Sequence, residues 1–352
     1  TTTTTTIAVA ALAAALFTIT AAMIASRRTA SAFVRLATTT RGPTAAAATR
    51  IAGASFGSRC SVGSRFRHEE AAAATQTQTR GEQRRTFLNQ IMGMFGGDDD
   101  ATAVTPESLV ESVGGGEGAA VGNAVGDAMY ALYTADAVCF DVDSTVINEE
   151  GIDVLADFLG KGDAVAELTA AAMEGGMKFD EALKARLDLL RPSRKEILDC
   201  LEAHPLVLTP GIADLVKALQ SKNVPVFLVS GGFRIMIEPV ADVLGIPSDT
   251  HLFANTINFK YGSDGEYDSF CADEPTSQDF GKPKALEVIR SDHPDLENLV
   301  MVGDGMTDAQ AKPPAVAFIG FGGVVTRDPV KEEADWFVTD FSDMTKVVEM
   351  RS

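Results

Sequence analysis

Cysteine, histidine and tryptophan are scarce in this 352-residue sequence, at four, four and one. Cys60, Cys139, Cys200 and Cys271 form no C-x-x-C pair and stand in unlike contexts, so neither a zinc site nor a disulfide framework is implied. Cys139 lies in an apolar run and reads as core packing, and a reducing compartment suits the set. None of His68, His204, His251 and His293 falls in a motif. Positive charge is also short: 30 lysines and arginines face 49 acids, for a net charge of −19. That balance argues against a nucleic-acid partner, which requires a basic surface.

The basic residues are unevenly placed. Residues 1–85 hold eleven arginines, no lysine and three acids (Glu69, Glu70 and Glu82), a net of +8 that leaves about −27 on the remainder. A basic, Ala/Thr/Ser-rich leader joined to an acidic body reads as an address followed by an enzyme. Within it, Ile7 to Ala25 is apolar apart from threonines, long enough for a signal-peptide core and marginally long enough to span a bilayer. Ala30-Ser31-Ala32-Phe33 then satisfies an Ala-x-Ala cleavage rule. The combination resembles the bipartite leader of plastid-directed proteins, with a mitochondrial leader or an anchor helix as competing readings. The expected destination is the stroma, with no stable membrane association of the mature enzyme. Residues 86–120 contain Gly96-Gly97-Asp98-Asp99-Asp100 and Gly114-Gly115-Gly116 and read as a flexible linker. Folded structure is expected from about Val121, with a helix to Tyr133.

Three apolar runs carry the chemistry. Ala137-Val138-Cys139-Phe140 reads as a strand buried on both faces and delivers Asp141 and Asp143. Two carboxylates two residues apart at a strand exit repel each other unless a cation sits between them. Asp, Ser and Thr are also ordinary helix-capping residues, so the pair alone fits a structural turn. Val224 to Val229 ends in Ser230-Gly231-Gly232, and Leu299 to Val302 ends in Gly303-Asp304-Gly305-Met306-Thr307-Asp308. Open α/β sheets build their sites on that carboxyl edge. The chemistry such groups can do is phosphoryl transfer through a covalent aspartate. Asp141 would attack and Asp143 would act as acid and base. Asp141, Asp143 and Asp304 would hold Mg²⁺ in an all-oxygen site. Ser230, the amides of Gly231 and Gly232, and Lys282 would receive the phosphate.

The ordered set Asp-x-Asp-x-Thr, Ser-Gly-Gly, Gly-Lys and Gly-Asp-Gly-x-Thr-Asp resembles the haloacid dehalogenase superfamily over about Asp127 to Phe341. The wording from Phe140 to Asp153, from Val229 to Arg234 and from Ile319 to Gly323 is similar to the branch that acts on O-phospho-L-serine. The resemblance implies Mg²⁺-dependent hydrolysis of that small molecule, the last step of phosphorylated serine biosynthesis. Alternatives are another small phosphate ester or a non-catalytic regulatory relative. It also implies that Glu150 takes the substrate ammonium and Arg186 its carboxylate, a pairing that suits a zwitterion. Met173 and Phe179 would form an apolar wall, with Glu174 a departure from the pattern. Thr307 and Arg327 would lie on the substrate side, and Asp308 would support the metal ligands.

The expected fold is α/β, a doubly wound parallel sheet with an inserted helical cap. Residues 121–150 and 205–352 would form the core and 151–204 the cap, where Ile152, Leu155, Phe158 and Leu159, then Leu183, Leu187 and Leu190, recur at helical spacing. A helix is expected from about Phe233 to Leu244, a hairpin from His251 to Tyr267 around Gly262-Ser263-Asp264-Gly265, and a last strand at Trp336-Phe337-Val338.

Overall fold

The computed structural model describes residues 83–88, 90–91, 117–172 and 177–351. The leader signals between Ile7 and Phe33, and also Met173 and Glu174, lie outside the described residues.

Helix α1 (Glu117–Tyr133) leads into β1 (Ala137–Phe140). Every β1 side chain is buried, and the strand's two-residue period divides them between two layers. Val138 and Phe140 enter one apolar cluster, Ala137 and Cys139 the other. β1 is therefore central. It pairs in parallel with β2 (Val226–Phe233) and with β6 (Leu299–Gly303). The full order is β3-β2-β1-β6-β7-β8, with β3 at Leu252–Asn255, β7 at Ala317–Phe321 and β8 at Trp336–Val338. All five pairings are parallel, which makes this the doubly wound sheet expected from the apolar runs.

One face is covered by α1, by α6 (Ile212–Ser221), α7 (Arg234–Val243) and α11 (Phe341–Glu349), through residues such as Met129, Leu215, Val240 and Val347. The other carries α8 (Gly281–Asp292), the short α9 (Met306–Ala309) and α10 (Asp328–Glu333), through Leu286, Ile289, Ala309 and Val330. Phe87 and Ile91, inside the stretch read as linker, are buried in the first cluster; the Phe87 ring lies 4.5 Å from that of Tyr133. Ordered packing thus begins upstream of Val121.

Between β1 and α6 the chain makes four helices: α2 (Gly151–Phe158), α3 (Gly162–Ala171), α4 (Phe179–Leu190) and α5 (Arg194–Ala203). Leu155, Leu183, Leu187, Ile197 and Cys200 form an apolar cluster of their own, shared with Phe233 and Met236 at the end of β2 and the start of α7. Ser193 caps α5 reciprocally: its hydroxyl accepts from the Glu196 amide, and the Glu196 carboxylate accepts from the Ser193 amide. The entry and exit of this insert run side by side. Ile147 bridges Leu208, the Asn148 amide donates to the Val207 carbonyl (3.1 Å), and the Thr209 amide donates to the Val146 carbonyl (2.9 Å).

The region from His251 to Tyr267 departs from the expected hairpin. Leu252 to Asn255 is instead β3, the outer strand of the main sheet beside β2. The hairpin is β4 (Ile257–Phe259) with β5 (Tyr267–Phe270), three residues longer at its far end, and its turn packs on α5 through the Arg194 amide and Gly265 carbonyl (2.8 Å).

Candidate active site

Asp141 follows β1 directly and accepts from the Val142 amide through Oδ1 (2.7 Å). The chain then turns tightly. Ser144 stands at φ +53°, and the Ile147 amide closes back onto the Val142 carbonyl (3.0 Å). This turn gives Asp141 and Asp143 different partners.

Asp141 Oδ2 lies 2.7 Å from Lys282 Nζ, which also pairs with Asp308 Oδ1. Lys282 is only 8 % exposed on the first turn of α8, so it is no ordinary surface lysine. Burial pulls its ammonium pKa down, but Asp141 and Asp308 outweigh that and hold it above the usual lysine range. Burial raises the Asp308 carboxyl, as does the charge of Asp141, against the opposing pull of Lys282 and the Gly305 amide.

Asp143 has no cation bonded to it among the described residues. Its Oδ1 accepts from the Gly151 amide (2.7 Å) and its Oδ2 from the Ser230 hydroxyl (3.1 Å). Burial, then Glu150, then Asp141 push its carboxyl up to about 7, although both hydrogen bonds oppose the shift. The two members of the Asp-x-Asp pair are thus in opposite electrostatic situations: one is neutralised by a lysine, the other is poised to hold or lose a proton near neutrality.

Ser230 is fully buried, and its Oγ also accepts from the Gly232 amide (2.8 Å). Glycine is required at this strand end. A Cβ on Gly232 would lie 2.8 Å from Asp143 Oδ2, and one on Gly231 would lie 2.9 Å from the Phe179 ring. Phe179 therefore covers the Ser-Gly-Gly turn from the start of α4. Behind the turn, the buried Asn255 side chain donates to the Gly231 carbonyl (2.7 Å) and accepts from the Thr276 hydroxyl (2.9 Å).

Asp304 arrives from β6. Its Oδ1 accepts from Thr145 Oγ1 at 3.4 Å, and its carbonyl accepts from Arg327 Nη1 at 3.0 Å. The Arg327 guanidinium also lies against the Asp304 carboxylate and 3.8 Å from Glu150 Oε1. Oxygens of Asp141, Asp304 and Asp308 lie within 4.8 Å of one another, and the Asp304 Oδ2 among them has the Arg327 guanidinium against it. Such an anionic, all-oxygen cluster fits a hard divalent cation such as Mg²⁺. Asp308, expected only to support the ligands, stands as close to the cluster as Asp304 but is already tied to Lys282 and the Gly305 amide.

Arg186 is half-buried on α4 rather than on a solvated face. Burial lowers its pKa, and the charges of Asp153, then Glu150 and Asp143, counter that, so it stands within electrostatic reach of the site's acids. Thr307 is exposed on α9, three residues beyond Asp304. Of the site residues expected from the sequence, Met173 and Glu174 lie outside the described residues, and the others belong to this one strand edge or to the segments next to it. Two residues without an assigned role, Ser144 and Asn255, also touch the site; Ser144 had a signal in its place between Asp143 and Thr145, whereas Asn255 had none.

Residues 135–311 match the family model of haloacid dehalogenase-like hydrolases. The chain is 51 % identical over 216 residues to a phosphoserine phosphatase of Bos taurus, covering 61 % of this chain and 94 % of that protein. It is 48 % identical over 213 residues to "Phosphoserine phosphatase, chloroplastic" of Arabidopsis thaliana, covering 60 % and 71 %. Among solved structures, the "Phospho-Aspartyl Intermediate Analogue of Phosphoserine phosphatase" superposes with a TM-score of 0.51 at 29 % identity, covering 59 % of this chain and 96 % of that one. With a family model matched over residues 135–311, and 51 % identity over the 216 aligned residues that span 94 % of the bovine protein, the chain belongs to the haloacid dehalogenase-like hydrolases and, within them, to the phosphoserine phosphatase family.

Proposed function

We propose that this chain hydrolyses O-phospho-L-serine to serine and phosphate with Mg²⁺ as cofactor, and that Asp141 and Asp143 divide the chemistry between them. The observation that carries the division of labour is the contrast between the two carboxyls: Asp141 sits against the Lys282 ammonium, whereas Asp143 is raised to about 7 by burial and by its acidic neighbours. A charged, oriented carboxylate is a nucleophile, and a carboxyl titrating near neutrality can donate a proton and take one back.

Asp141 Oδ attacks phosphorus, and the bond from phosphorus to the seryl oxygen breaks. Asp143 gives its proton to that departing oxygen. It then accepts a proton from the water that attacks the aspartyl-phosphate, which releases phosphate and restores both carboxyls. Lys282, the Ser230 hydroxyl and the Gly231 and Gly232 amides surround the phosphoryl oxygens. Asp141, Asp304 and the Asp143 backbone carbonyl would hold Mg²⁺, with Asp308 behind them; the ion supplies neutralising charge beside the transferring group. Glu150 meets the substrate ammonium and Arg186 its carboxylate, with Phe179 as an apolar wall, Met173 its companion, and Thr307 and Arg327 at the rim. Helices α2–α5 form a cap that excludes water during transfer.

Phosphate release from phosphoserine, phosphothreonine and a sugar phosphate, with and without Mg²⁺, tests this reading. Phosphoserine is expected to be turned over fastest, only with the ion, and not by Asp141→Asn. Undiminished turnover by that variant would remove Asp141 as nucleophile, and equal rates on all three esters would remove Glu150 and Arg186 as the readers of the substrate. The chloroplastic name of the Arabidopsis relative supports a plastid address for residues 1–85. A fluorescent fusion to that leader distinguishes plastid from mitochondrial or membrane-anchored destinations. Among the described residues, no helix is long and apolar enough to cross a membrane.

A further inference from the structure

Ser144 occupies the left-handed region of backbone space, at φ +53°. Glycine and asparagine adopt that conformation with least strain, and serine does so less readily. Such a residue persists where its surroundings over-determine it. Two bonds do so here. The Ser144 amide donates to the Glu149 carbonyl (3.1 Å), and the Ser144 hydroxyl donates to Glu150 Oε1 (2.8 Å). Ser144 is 3 % exposed, so water does not compete for that hydroxyl. The backbone contact needs no side chain, and a glycine would make it at lower cost. The hydroxyl is what serine adds, and it goes to the carboxylate of Glu150. Arg327 Nη2 stands 3.8 Å from that oxygen, too far for a hydrogen bond that would fix its orientation.

We propose that Ser144 is a positioning residue for substrate selection: by holding Oε1 of Glu150 it turns the carboxylate toward the ligand ammonium group, and so favours phosphate esters that carry an amino group. The proposal rests on the reading of Glu150 given above. It ties recognition of the substrate to the nucleophile turn itself, because the orienting hydroxyl lies one residue beyond Asp143.

The test compares kcat/KM for phosphoserine with that for the ester that is phosphoserine without its amino group. Ser144→Gly relieves the backbone strain and removes the whole hydroxymethyl group, hydroxyl included. Ser144→Ala removes the hydroxyl and keeps the strain, and guards against a change caused by loop flexibility. Both are expected to lower the ratio of the two kcat/KM values about tenfold, mainly through KM for phosphoserine, as befits a lost hydrogen bond to a charged group. The melting temperature of Ser144→Gly should be unchanged or raised. Glu150→Gln serves as the reference. If it lowers the ratio and neither Ser144 variant does, the proposal is overturned and the reading of Glu150 stands. If none of the three lowers the ratio, the reading of Glu150 fails and the proposal with it. Equal losses on both esters, with the ratio intact, would mark a purely structural role for Ser144 and also overturn the proposal.

Discussion

Replacing Asp143 with asparagine should make the protein more stable while making it inactive. Burial and the charges of Glu150 and Asp141 raise this carboxyl from 3.8 to about 7. Three units at about 1.4 kcal/mol each put roughly 4 kcal/mol of strain on the ionised form. Because the side chain retains some contact with water, screening lowers that ceiling to about 2 kcal/mol. Asparagine is nearly isosteric; its oxygen can still accept from the Gly151 amide, and its nitrogen can donate to Ser230 Oγ. The folded-state value lies above the unfolded one, so the native protein binds the extra proton between them and wild-type stability falls as pH rises from about 4 to about 7. Asp143→Asn has no such slope. Urea unfolding with a chelator present should give a gap near zero at pH 4 that grows to about 2 kcal/mol at pH 8, or roughly 4–8 °C in Tm for a domain of this size. Phosphate release should fall by about 10²–10⁴. A variant less stable than the wild type at pH 8, or a gap that does not narrow on acidification, would refute the argument that uncompensated charge strains this site.

Removing the cation between Asp141 and Asp308, as in Lys282→Met, leaves two buried carboxylates facing each other and should destabilise the fold by about 3–5 kcal/mol in chelator. Excess Mg²⁺ should recover part of that loss in the same unfolding measurement. Gly232→Ala places a methyl group 2.8 Å from Asp143 Oδ2 and 3.0 Å from Ser230 Oγ; circular dichroism should stay native while kcat falls at least tenfold. Stripping divalent ions should abolish phosphate release and lower Tm, and both should return on titration with Mg²⁺ but not with Na⁺ at equal ionic strength.

The strand ends were legible in the sequence because parallel strands buried on both faces must be apolar throughout, and polar residues at their carboxyl ends then stand out. Ala137–Phe140 and Leu299–Gly303 are of this kind. β3 was hidden because its four residues run almost directly into the hairpin, with only Thr256 between Asn255 and Ile257. β7 was not set out as a strand, and Gly320 falls inside it. Phe87 and Ile91 stand in a short apolar stretch with Leu88 and Met92, which the glycine-rich and acidic residues that follow outweighed. In the site, the groups whose chemistry is carried by residue type were readable: Asp141, Asp143, Ser230, Lys282 and Asp304. Contacts that depend on direction were not. The Ser144 hydroxyl reaches Glu150 because of one backbone angle, and Asn255 supports Gly231 across 24 residues of chain because β3 happens to lie beside β2.

The paired entry and exit of the helical insert have a bearing on how substrate choice can change. The chain leaves the sheet at Asn148 and returns at Val207, and those two residues are hydrogen-bonded to each other. A segment spliced across that neck would leave the sheet register untouched, along with Asp141, Asp143, Ser230, Lys282 and Asp304. It would carry away Glu150, Phe179 and Arg186 together. The reactive groups and three of the side chains proposed to read the head group thus lie on opposite sides of one neck, with Ser144, Thr307 and Arg327 left on the sheet side, so exchange of the segment between Asn148 and Val207 could present a different phosphate ester to the same unchanged carboxylates.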